Sequence, residues 1–146
     1  MKSKAPLVLM EQLVMLLVFA LAAALCVQAF ALSDRTSARN AARDRAVLEA
    51  QNAAEALKGN DTDYFTGQGA TGDSVSGWYL SYDAQWQPVR AQSGDDPAVA
   101  YHLMTFPEES GLDYLWCASV QVYTAEGDLL VSLPVAGQIT EVMVYG

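Results

Sequence analysis

Side chains able to do chemistry are few in this chain, and their spacing is poor for it. His102 is the only histidine, which rules out a histidine-rich metal site, and neither H-E-x-x-H nor a Cys-plus-His zinc spacing occurs. Cys26 lies in an apolar run and Cys117 in a strand-like run beside Trp116, where a buried, inert thiol is expected. The two allow one bridge at most, and only if their Cα atoms come within about 7 Å. No Ser-His-Asp, Cys-His or G-x-S-x-G arrangement is present, so no catalysis is expected. Gly67, Gly69 and Gly72 fit G-x-G-x-x-G, yet no strand-to-helix unit frames them and a loop is the simpler reading. Asp61, Asp63, Asp73, Asp95 and Asp96 lack EF-hand spacing and read as solvated loop acids rather than a calcium site. Asn60-Asp61-Thr62 fits a glycosylation sequon, relevant in a host that reads it. No metal and no cofactor is expected.

One carboxylate stands apart. Glu11 is the only charge between Ala5 and Ser33; residues 12–33 carry none, and Leu13 to Val27 is unbroken apolar sequence. At about 1.5 Å per residue, some 20 residues cross a hydrocarbon core, so this stretch is long enough to span one. Three readings compete. Lys2 and Lys4 followed by an apolar run and Ala29-Phe30-Ala31 resemble a secretory signal with its cleavage site. The run is otherwise a plain single-span anchor, or a span that also assembles with its copies. An acid directly before a signal's apolar region is unusual, and the helical pattern continues past residue 31. A carboxylate deep in lipid costs about 2.5–3.5 kcal/mol. Glu11 therefore either sits at headgroup level or meets a cation from a neighbour. Ala20, Ala22, Ala23 and Ala24 suit close helix approach in a bundle, or are filler.

These features need elements to position them. From Ser33 to Lys58 there is no Gly or Pro, so the helix should continue, with Ala38, Ala42, Ala46, Ala50, Ala53 and Leu57 on one face and Arg35, Arg39 and Arg43 on another. Gly59-Asn60-Asp61 should end it, with Gly59 suited to the left-handed position. Residues 60–76 read as a loop. Strand-like runs follow at 77–83, 86–90, 98–106, 113–124 and 129–135, rich in Tyr, Trp, Val and Leu and separated by turn residues. In the fourth run Trp116, Ala118, Val120, Val122 and Thr124 alternate with a more polar set, as in an antiparallel sheet covered on one side. That run and the next should form a hairpin, and residues 136–146 are a candidate edge strand. The expected fold is α+β: a long N-terminal helix, half transmembrane and half amphipathic, on a small antiparallel sheet.

Charge is segregated along this plan. Residues 1–32 and 33–58 each carry a net of +1, whereas residues 59–146 hold Arg90 against twelve acids, a net of −11. Such a head lacks the cations that nucleic acid requires.

A basic leader, an apolar helix with one acid near its start, an amphipathic continuation and a small sheet head together resemble type IV pilins and pseudopilins. The residues carrying the likeness run from Leu7 to Leu17, LVLMEQLVMLL. In that family a peptidase cuts before a hydrophobic residue and methylates the new amine, and a glutamate follows at the fifth mature position. A cut between Pro6 and Leu7 puts Glu11 there; the family's usual glycine before the cut and frequent phenylalanine after it are Pro6 and Leu7 here.

The resemblance implies a leader over 1–6, a transmembrane helix over 7–32, an amphipathic helix over 33–58 and an acidic head over 59–146. It implies a structural subunit, a minor pilin or pseudopilin, that joins a pilus-like or secretion-like filament through its helix. Its partners would be other pilin-like subunits, the prepilin peptidase, an inner-membrane platform and membrane lipid. It would sit in the bacterial cytoplasmic membrane as a single pass, N-terminus inside and head outside. Lys and Arg counted alone oppose that orientation, since Arg35, Arg39, Arg43 and Arg45 follow the apolar run while two lysines precede it. The acidic head and the family topology favour it. A reading from another class is an anchored or secreted module whose Trp78, Tyr79, Tyr82, Trp86 and Trp116 grip a small ligand or glycan.

Overall fold

Leu7 to Lys58 contains neither Gly nor Pro and is rich in Ala, Leu, Met, Arg and Glu, the residues that lose least on entering a helix. The computed structural model, which describes residues 4–90 and 98–139, accordingly carries one helix, α1, from Ala5 to Lys58. Contacts divide the chain into two units, Met1–Ala41 and Ala42–Gly146. In the first unit every described residue is solvent-exposed, including the whole apolar run. The helix is long and apolar enough to cross a membrane once.

The second unit holds the rest of α1, a short helix α2 (Thr62–Gly67) and strands β1 (Thr71–Asp73), β2 (Gly77–Tyr82), β3 (Pro88–Val89), β4 (Tyr101–Glu108), β5 (Leu115–Thr124) and β6 (Leu129–Gln138). The strands form one antiparallel sheet ordered β1-β2-β4-β5-β6, with β3 pairing the far end of β2. The fold is α+β, a long N-terminal helix and a small sheet head. Ala46, Ala50, Ala53 and Ala54 of α1 share a buried cluster with Phe65, Leu80, Leu103, Val120 and Val122. The alternation in β5 falls as its sequence implies, with Ala118, Val120 and Val122 buried on the helix side. Ala38, at the start of the alanine face, is exposed, and the covered face begins at Ala42.

Helix α1 ends on a Schellman turn. The Asp61 N–H donates to the Ala56 carbonyl at 2.9 Å and the Asn60 N–H to the Leu57 carbonyl at 3.1 Å. The left-handed residue is Asn60, at φ 50°, and not Gly59; after glycine, asparagine is among the residues that adopt this conformation most readily. The stretch 60–76 is not all loop. Asp61 caps α2 by accepting the Tyr64 N–H, and α2 sends Phe65 into the core, where it stacks on Trp78 at 5.0 Å. The run 86–90 shrinks to the two residues of β3, because an Asp83 turn places Trp86 at φ 60°. The third run starts later than its sequence suggests, at Tyr101, and continues through Pro107.

Strand β6 runs past Val135 to Gln138; of the candidate edge strand over 136–146, residues 140–146 lie outside the described residues. The Ile139 N–H donates to the Tyr114 carbonyl, so odd-numbered residues of β6 face β5 and the Pro134 nitrogen faces outward. Proline there removes no ladder bond and blunts a ten-residue edge.

Candidate functional site

In the assembly segment, Pro6 and Leu7 fall in the first turn of α1, where a proline ring's fixed φ suits the helix and its missing N–H has no partner to lose. Glu11 lies one turn further on, exposed among Leu7, Val8, Val14 and Met15. Among the described residues the ion pairs are Arg45 with Glu49 and Lys58 with Glu55, and no described cation meets Glu11. Arg35, Arg39 and Arg43 are likewise exposed and unpaired within the described residues.

The aromatic residues that sequence reasoning grouped are separated into three places. Trp86 stacks on Tyr101 at 4.0 Å and lies against Tyr82 at one end of the sheet. Tyr79 is on the sheet face opposite α1, where it stacks on His102 and its hydroxyl meets His102 Nδ1 at 2.6 Å. Only Trp78 and Trp116 share a groove. It measures about 440 Å³ and lies between the last turn of α1, the β1–β2 turn and the Pro107–Gln138 end of the sheet.

Backbone geometry shapes that groove. Gly77, at φ 95°, brings β2 so close to β4 that a Cβ there would lie 2.0 Å from the Thr105 carbonyl oxygen. The Trp78 N–H consequently bonds the Thr105 hydroxyl at 2.8 Å. Trp116 lies flat across Gly137, whose added Cβ would come within 2.6 Å of the indole. Asp73, in the β1–β2 turn, accepts from the Ser76 N–H, the Ser76 hydroxyl and the Val75 N–H, and these bonds hold its carboxyl below the usual carboxylate range. The groove was missed in the sequence because its residues come from six separate elements and the turns beside them.

A second polar cluster is interior. Glu49, on α1, is buried and bonded to Arg45 at 3.0 Å. Nearby, the Tyr82 hydroxyl donates to Gln68 Oε1 at 3.4 Å, while the Tyr64 hydroxyl is buried without a hydrogen-bond partner. Burial first, and the Glu49 charge further down, push both phenols above tyrosine's ordinary value of 10. His102 is shifted down by desolvation, which favours the neutral ring beside the Tyr79 hydroxyl.

Cys26 and Cys117 are both free thiols; Cys26 is exposed, and Cys117 is only half-buried rather than enclosed, because its side of β5 faces away from α1. Gly67, Gly69 and Gly72 run from the end of α2 into β1, with no β-strand leading into a helix around them. Asp61 caps α2 and Asp73 closes a turn; Asp95 and Asp96 lie outside the described residues. Comparison of the chain with protein-family models, with curated proteins and with solved structures gives no match.

Proposed function

We propose that this chain is a pilin-like structural subunit, a minor pilin or pseudopilin, that assembles into a filament through α1. The observation that supports the reading most is α1 itself: one 54-residue helix with an uncovered apolar half, a single carboxylate near its start, and an alanine-lined half packed on an acidic antiparallel sheet head. The apolar half anchors the chain in the cytoplasmic membrane with the head outside. On assembly the same surface packs against sister helices, with apolar burial contributing up to about 25 cal/mol per Å². Glu11 then meets the amine of a neighbouring subunit and fixes the axial stagger. The prepilin peptidase and an inner-membrane platform are the implied partners, and no catalysis is assigned to the chain.

The experiment is Glu11→Ala in the cell that makes the protein. Incorporation into surface filaments is expected to fall at least about tenfold, the factor that 1.4 kcal/mol carries, while membrane insertion is unchanged. Filaments that take up the variant as well as the parent chain contradict the role of Glu11.

A further inference from the structure

We propose that the groove between Trp78, Trp116 and the β1–β2 turn binds a neutral carbohydrate. It has the amphipathic lining such a ligand requires. Trp116 is pinned against Gly137 on one side, so its free edge and face wall the groove as a rigid apolar surface. A pyranose ring offers a face of C–H bonds to such a wall and directs its hydroxyls outward. Around the wall stand polar groups with unspent bonding capacity. Among the described residues, the Trp116 indole N–H, the side-chain amides of Asn60 and Gln138, and the Ser74 hydroxyl make no hydrogen bond. Asp73 spends one oxygen on its own turn and keeps the other free. Donors and acceptors alternate around an aromatic surface, the pattern by which a few placed polar groups orient a ligand in a concave site.

Charge selects among ligand classes. Residues 59–146 carry a net of −11, which disfavours an anion. The groove's own lining sets one ammonium, Lys58, against one carboxylate, Asp73, so it carries no net charge that would select a cation. A purely apolar ligand would desolvate Asn60, Asp73 and Gln138 without bonding them, at about 1–3 kcal/mol for each group. A neutral polyhydroxyl ligand meets all three conditions. At about 440 Å³ the groove is within the range of small-molecule sites, about 300–1,000 Å³. The site lies wholly within the second unit, Ala42–Gly146, and does not depend on the assembly role of the apolar half of α1.

The test is saturation-transfer NMR on the full chain in phosphatidylcholine nanodiscs, with cellotriose, maltotriose and triacetylchitotriose as separate probes. The proposal expects saturable transfer to the ring C–H protons of at least one of them. It expects Trp116→Phe to weaken binding severalfold, because the wall remains and the indole N–H is lost. It expects Asn60→Gly, which removes the amide and keeps the left-handed turn, with Gln138→Ala to weaken it about tenfold. Both are mild changes, and far-UV circular dichroism verifies the fold. Transfer to none of the three sugars at about 10 mM overturns the proposal. Binding that both variants leave unchanged also overturns it, as does tighter binding of tetramethylammonium or hexyl phosphate to the same groove.

Discussion

At the scale of single residues, His102 shows how local contacts become a measurable property. It sits on the sheet face away from α1, stacked on Tyr79, with Nδ1 2.6 Å from the Tyr79 hydroxyl. Desolvation lowers its folded value below 6.5, so the unfolded chain takes up the proton first as pH falls. The stability tied to this residue is therefore fully present above pH 6.5 and is lost as pH drops through the folded value. Thermal melts between about pH 5 and 7.5 should show a steeper acid-side loss for the parent chain than for His102→Gln. Equal slopes contradict the assignment. Glu11 works at the same scale by the opposite logic, since no cation among the described residues compensates it. It stood out in the sequence because isolation in an apolar run is visible in one dimension. The pairing of His102 with Tyr79 was not visible there, because it depends on the β2–β4 register that sets Ser81 opposite His102.

Elements were more legible than their edges. Helix α1 follows from an unbroken run of helix-forming residues, and β5 from strict alternation, so both appear where the sequence places them. The short pieces do not. Helix α2 forms because Asp61 caps it and Phe65 has a core to enter, and neither reason is local periodicity. Strand β3 contracts because Asp83 organises a turn that competes with extension. The alanine stripe gives the element-scale test. Ala50 is fully buried between α1 and the sheet, so Ala50→Leu overfills a packed layer. Chemical denaturation should show a loss of about 1–3 kcal/mol, whereas the same change at exposed Ala38 should be near neutral. Equal costs at the two positions would mean the stripe is not the helix's packing face.

For the whole molecule, the decisive feature is division of labour along one chain. Apolar sequence without a partner occupies the first unit, and buried alanines, aromatics and a blunted sheet edge occupy the second. Composition alone reveals this segregation, since the net of −11 beyond residue 58 follows two nearly neutral segments. What composition does not reveal is where the head has room for a ligand, because the groove is assembled from parts distant in sequence. The most direct measurement is the intact mass of the chain recovered in the high-speed pellet of the sheared cell-surface fraction. The assembly account predicts a pelleted chain lacking residues 1–6 and carrying one added methyl group. A chain that stays in the membrane fraction at full length, or is released as a soluble head beginning at Leu32, contradicts it.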